Sequence, residues 1–344
     1  MLALVKTQKG SGYLELKEVP MPEISADEVL IEVKAAGICG TDIHVKNDEF
    51  PYWPPVILGH EFSGKIVGTG AAITSYKAGD KVVAEPHTLA CGQCYLCRTG
   101  NIQICNSKRS IGWGIDGAFT KFIKMPEKLL HRIPDSVSYE VAAVVEPVAN
   151  VVHDVLERGR IEAEDFVVVM GAGPIGLLSA MIAKTQGAKA TMIIGTPADE
   201  NLRLKVAKEV GIDYVINIGS ENPIERVLDL TNGIGADLIV EASGAEEAIN
   251  MTVPLVRKKG RITVIGMTGK NRIQFPWDGA VFKACDIIFN LSTSYTSWEK
   301  AIGLISQNKV NIEALITHRE PLTNWKVAFK AAENKTAIKA LLIP

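Results

Sequence analysis

The apolar run Phe166–Met170 (FVVVM) passes without a linker into Gly171-Ala172-Gly173-Pro174-Ile175-Gly176, and then into a helical pattern, Leu177–Thr185. A continuous apolar run of this kind is what a parallel strand covered on both faces requires. G-x-G-x-x-G between a strand and a helix is a phosphate-binding turn. Its first glycine makes the tight bend, its second admits the backbone to a pyrophosphate, and its third lets helix and strand pack closely. The helix N-terminus then faces the phosphates. Gly171, Gly173, Pro174, Ile175 and Gly176 are therefore candidate dinucleotide contacts. Thr191–Ile194, Tyr214–Asn217, Leu238–Glu241, Ile262–Ile265 and Ile287–Leu291 read as further strands, with helical patterns at Leu202–Val210 and Pro223–Leu230 between them. Strand alternating with helix predicts an α/β doubly wound parallel sheet.

The second strand of such a sheet normally ends in an acid that binds the adenosine ribose. Here it ends Ile194-Gly195-Thr196-Pro197, without one. Gly195 would leave room for a 2′-phosphate, Thr196 could hydrogen-bond it, and Arg203 lies about a helical turn downstream. This leans towards NADP or towards use of both nucleotides. Asp199 or Glu200 in the following turn could instead replace the missing acid, which would favour NAD.

The rest of the chain differs in texture. Its first third is rich in Gly and Pro with short β-like runs (Val29–Val33, Lys65–Val67, Lys81–Ala84), as in a barrel-like β domain with long loops. The tail from Trp298 reads as a helix, an extended piece, a second helix (Asn324–Asn334) and a last strand (Lys339–Ile343). A length of 344 residues suggests about two domains. A net charge of -2 gives no reason to expect nucleic acid or a membrane surface as partner. Without a visible signal peptide or membrane span, the expectation is a cytoplasmic protein.

Four of the six cysteines fall in Cys91-x2-Cys94-x2-Cys97-x7-Cys105. In a reducing compartment that crowding points to metal. Four thiolates make a closed tetrahedral shell that suits a structural zinc; an iron–sulfur cluster is the rival. A catalytic zinc needs about three protein ligands and an open position. Cys39 and His60 have the right chemistry, each beside a glycine, and the third ligand could be Glu61 or Glu146.

Gly59-His60-Glu61-x2-Gly64-x5-Gly70-x2-Ile73 resembles the zinc signature of medium-chain alcohol dehydrogenases. Cys39-Gly40-Thr41-Asp42 precedes it, and the four-cysteine lobe and the glycine-rich turn follow in the family's order. The resemblance runs over essentially the whole chain and is nearest to the branch of sorbitol (polyol), threonine and butanediol dehydrogenases. It implies a GroES-like, barrel-like β catalytic domain (1–149 and 293–344) with an inserted Rossmann domain (150–292). Zinc would be present twice per chain, once catalytic on Cys39, His60 and Glu61 or Glu146, and once structural. Asp42 would accept a hydrogen bond from His60. Thr41 would take the alcohol proton towards His44, and Lys339 would stand behind the metal-side glutamate. Trp113 and Trp53 would lie near the substrate, whereas His87, His131, His153 and His318 read as structural.

The implied activity is hydride transfer between NAD or NADP and a small-molecule secondary alcohol, a polyol or sugar alcohol, giving a ketone. Threonine, butanediol and phosphorylated polyols are alternative substrates. Polyol members are commonly tetramers, so a homotetramer is expected. Two other readings compete: a zinc-free quinone or enoyl reductase on the same fold, and a non-enzymatic zinc and nucleotide binding protein. Cys39, His60 and Glu61 argue against the first, and the near-neutral charge against a nucleic-acid version of the second.

Overall fold

The Phe166–Met170 strand is buried along its whole length because it has a parallel neighbour on each side. It lies third in a six-stranded sheet ordered Tyr214–Asn217, Ala190–Gly195, Phe166–Met170, Ala236–Glu241, Val256–Val264, Asp286–Phe289. Every pairing in it is parallel. The fifth strand begins earlier than the sequence pattern suggests. Val256 pairs with Ala236, but the exposed Lys258 and Lys259 interrupt the apolar run that would have announced it. Asp286–Phe289 forms one edge of the sheet, and Trp277, Phe282, Phe289 and Leu291 around it are all more than three-fifths exposed.

The computed structural model describes all 344 residues and divides into two units. The sheet above belongs to a unit of Val148–Thr293 and Asn308–Leu315, and the other unit holds Met1–Pro147, Ser294–Gln307 and Ile316–Pro344. The tail is thus shared between the two, where the sequence reading assigns 293–344 to the catalytic domain alone. No helix is long and apolar enough to cross a membrane.

The first unit is built on a seven-stranded sheet, mostly antiparallel, and a three-stranded one. Glu28–Gly37 is the pivot of the larger sheet. It pairs with Glu61–Thr69, Phe122–Pro126 and the late strand Lys339–Ile343. Val29, Ile31 and Val33 alternate inwards along it and pack with Phe62, Ile66, Phe119, Phe329 and Leu342 in one apolar core, following the period of two of a half-covered strand.

Two buried cations fasten this unit. Lys6, fully buried in the first strand, donates from Nζ to the carbonyls of Gly10, Gly12 (2.7 Å) and Lys46 (3.0 Å). It thereby satisfies the last carbonyl of helix Gly40–Lys46, where a cation is favourable. His131 is held on both ring nitrogens, Nδ1 by Glu299 at 2.5 Å and Nε2 by Glu85 at 3.1 Å. Its ring also stacks flat on the buried Trp298 at 5.4 Å. Ionised carboxylates only accept, so an imidazole bonded to one at each nitrogen carries two protons. Burial disfavours that charge, but the two glutamates outweigh burial and raise the pKa above its usual 6.5. The stabilisation is therefore complete at pH below 6.5 and is lost as pH rises through the raised folded-state value. His131→Gln is expected to flatten this fall. Chemical unfolding at about pH 6 and about pH 9 checks it, and equal pH slopes for both proteins would refute the charged imidazole.

Candidate active site

Helix Gly40–Lys46 starts at Cys39, whose extended backbone makes it the N-cap residue. Asp42 closes the capping box by accepting from the Cys39 backbone N–H at 2.9 Å, and it also accepts from Gly59 N at 3.2 Å. One buried carboxylate thus ties the Cys39 turn to the Gly59-His60 turn. Its hydrogen bond to His60 itself, as expected from the sequence, is not formed: Asp42 Oδ1 lies 3.7 Å from Nδ1. The backbone donors have claimed the carboxylate instead.

His60 and Glu61 follow Gly59 where the chain enters its long strand, and both are buried. Donor atoms of Cys39, His60 and Glu61 lie within 4.8 Å of one another. Lys339 closes the site from behind, donating to Glu61 Oε1 at 2.9 Å, Glu61 Oε2 at 2.6 Å and the Ile38 carbonyl at 3.2 Å. Burial works against the Lys339 charge, but Glu61 more than offsets it and raises the pKa. Gly37 is cross-strand from Glu61, and a Cβ there would lie 2.2 Å from Glu61 Oε2. Only glycine leaves the carboxylate its place. Glu146, also buried, stands outside the group of three; its charge is felt by Lys339 and Lys108.

These residues fit a cation. His60 Nδ1 is buried and makes no hydrogen bond. Burial disfavours His60 protonation, yet Asp42 and Cys39 raise its pKa well above the usual value. The pocket attracts positive charge, which a metal ion would supply. Thr41 Oγ1 lies 3.8 Å from Cys39 Sγ. His44, three residues further along the helix, is exposed and bonds Glu49 through Nδ1 at 2.9 Å. Trp113 sets its ring edge-on to His60 at 4.9 Å and to Phe50 at 5.6 Å, so it forms a wall beside the candidate ligand.

The four cysteines also converge, with no disulfide among them. Their printed Sγ–Sγ separations are 3.6, 3.8 and 3.9 Å. Zinc–sulfur bonds of about 2.3 Å in a tetrahedron give edges of about 3.8 Å. Backbone N–H groups of Gln93 and Cys94 pull the Cys91 thiol down to about 6, while burial and Cys105 push Cys97 up to about 12. Four thiols side by side cannot all ionise without a cation among them.

In the other unit Gly171 takes φ +99° at the bend, and a Cβ at Gly176 would lie 1.9 Å from the Gly171 carbonyl oxygen. Gly173 caps helix Pro174–Thr185 with open space where a side chain would stand, which leaves its backbone accessible to a ligand. The reading of Gly195 needs correction. A Cβ there would meet Leu204 Cδ2 at 2.7 Å, so packing fills the room assigned to a 2′-phosphate. Asp199, buried just beyond, accepts from Thr196 N at 2.9 Å, Thr196 Oγ1 at 2.7 Å and Arg203 Nη1 at 3.3 Å. Burial opposes its ionisation, but these donors lower its pKa.

Residues 25–135 match the alcohol dehydrogenase GroES-like domain and residues 174–307 match the zinc-binding dehydrogenase domain. The sorbitol dehydrogenase of Halalkalibacterium halodurans is 39% identical over 344 residues, covering 100% of this chain and 99% of that one. The chain belongs to the zinc-dependent medium-chain alcohol dehydrogenase family. As a member it is a nicotinamide-dependent oxidoreductase acting on CH–OH groups. D-arabitol-phosphate dehydrogenase of Enterococcus avium is 34% identical, covering 99% of this chain and 97% of its own length. A zinc-binding dehydrogenase from Sinorhizobium meliloti bound to NADP superposes with a TM-score of 0.93 at 26% identity, over 100% and 99% of the two chains. The alcohol dehydrogenase fold thus accounts for both the mixed β unit and the parallel-sheet unit. Sequence reasoning missed the clamped His131 and the need for glycine at position 37, because both depend on partners remote in the chain.

Proposed function

We propose that this chain oxidises a secondary alcohol of a polyol or sugar alcohol to the ketone, with the reacting carbon at the Cys39–His60–Glu61 site. The observation that carries the reading is the buried convergence of these three donors, backed by Lys339. Cys39, His60 and Glu61, or Glu146 in its stead, would hold a catalytic zinc, and the four-cysteine lobe a structural one. Zinc bound there would act as a Lewis acid that lowers the pKa of the alcohol. The names of the sorbitol and arabitol-phosphate relatives support the polyol class.

This chain's own residues then manage the proton. Thr41 beside Cys39 would accept it from the carbinol, and His44 would pass it to solvent. Glu49 engages His44 Nδ1, which leaves Nε2 as the exchanging nitrogen. Trp113 excludes water from one side of His60. Gly171, Gly173 and Gly176 would cradle the pyrophosphate of the cofactor. The exposed apolar groups beside the edge strand support self-association, in keeping with a homotetramer.

Both nucleotides would be accepted, with a lean to NADP. Asp199 neutralises Arg203 here, so neither charge is free to select. Asp199→Asn keeps an acceptor for Thr196 and frees the Arg203 cation. It is expected to shift the NADP/NAD ratio of kcat/KM towards NADP by about tenfold, about 1.4 kcal/mol. An unchanged ratio would remove Arg203 from cofactor choice.

The test of the function is a matrix of sorbitol, xylitol, ribitol, galactitol, butanediol, threonine and phosphorylated polyols with NAD and NADP, before and after zinc chelation. Chelator-sensitive turnover on the polyols supports the reading. No turnover on any of them, in protein carrying two zincs, would defeat it.

A further inference from the structure

Three cations near the candidate metal site in sequence could meet a charged substrate: Lys46, Lys108 and Arg109. The structure separates them. Lys46 is spent in an ion pair with Glu333. Lys108 is largely buried, donates to the Gln103 carbonyl at 2.5 Å and has Glu146 as its nearest opposing charge. Arg109 has no carboxylate partner, and its guanidinium lies 3.8 Å over the Trp53 ring.

That stack is tied to the metal site. Trp53 N donates to the Trp113 carbonyl at 2.9 Å, and the Trp113 ring stands edge-on to His60. Arg109 itself is seated beside Trp113, because a Cβ on the intervening Gly114 would meet the Arg109 Cα at 2.9 Å. A guanidinium stacked on an aromatic ring uses its face and leaves its N–H edges available. Of its five N–H donors, Arg109 uses one, from Nη1 to the Lys108 carbonyl at 3.1 Å. The neighbouring Ser110 hydroxyl is buried and makes no hydrogen bond, so a further donor there is unused. A planar cation, pre-oriented by an aromatic platform and free of carboxylates, matches the bidentate geometry of a phosphate or carboxylate.

We propose that the alcohol oxidised by this chain carries an anionic group, phosphate or carboxylate, away from the reacting carbon, and that Arg109 is the specificity-determining residue that binds it. The inference rests on the Cys39–His60–Glu61 site being where the carbinol reacts.

The experiment is steady-state kinetics on two matched pairs, D-arabitol against D-arabitol phosphate and 2,3-butanediol against L-threonine, with Arg109→Ala and Arg109→Lys beside the parent. The charged member of one pair is expected to have the higher kcat/KM by at least about tenfold. The pair that shows this distinguishes phosphate from carboxylate. Arg109→Ala should raise KM for the charged member at least about tenfold and leave the neutral one unchanged, with Arg109→Lys between. The parent alone gives a second readout, because KM for the charged member should rise with ionic strength and that for the neutral member should not. A preference for the neutral member in both pairs overturns the proposal. So does an equal effect of Arg109→Ala on both members, or a flat salt response. Absence of turnover on all four, in zinc-loaded protein, overturns the carbinol reading itself and this inference with it.

Discussion

Cys39→Ser is expected to lower turnover at least about 10³-fold, about 4 kcal/mol of transition-state stabilisation. A serine hydroxyl stays protonated near neutral pH and is a poor ligand for zinc, so the site would be left with an imidazole and a carboxylate. Metal analysis should fall from two zinc ions per chain to one, because the four-cysteine lobe is a separate cluster. Cofactor binding should persist, since the glycine-rich turn lies in the other unit. Thermal stability should change little, because the Cys39 backbone, which receives the Asp42 cap, is retained. Full activity in this variant, or two zincs still bound, would remove Cys39 from the metal centre.

Lys339→Met should be the most damaging substitution for stability. The pair is almost entirely buried, with 4% and 1% of the two side chains exposed. Replacing the lysine leaves the Glu61 carboxylate without its cation, and breaking a buried pair from one side costs about 3–5 kcal/mol. Adding Glu61→Gln in the same chain should recover part of that loss, since no unpaired charge then remains. Urea unfolding of the two single variants and the double variant measures the coupling. A loss below about 1 kcal/mol for Lys339→Met, the range of exposed pairs, would show that water reaches the site and that Lys339 does not position Glu61.

What could be read from the chain in advance follows contact range. Phe166–Met170 and its glycine turn are local signals, carried by consecutive residues. The four cysteines are nearly so, because their spacing is itself the geometry. Lys339 is different: it reaches Glu61 across 278 positions, and no periodicity announces that, so only a family resemblance could point to it. His131 looked inert for the same reason, its partners being 46 and 168 positions away. Gly195 was misread from the opposite cause. A missing side chain does not say what fills the space, and here Leu204 does. Asp42 illustrates competition. Its type and position suited a histidine partner, but two backbone donors took the carboxylate first.

The long reach from Glu61 to Lys339 also bears on how the protein is made. Synthesis is vectorial and domains generally fold as units. The parallel-sheet unit is encoded almost wholly between the two halves of the metal-bearing one. It can therefore finish folding on the ribosome while the unit begun first still lacks its Lys339–Ile343 strand, and with it the cation that steadies Glu61. The part of the chain translated earliest is the part completed last. A nascent chain can hold a folded nucleotide unit before it possesses a finished metal site, so zinc loading at Cys39 and His60 belongs to the final stage of biogenesis.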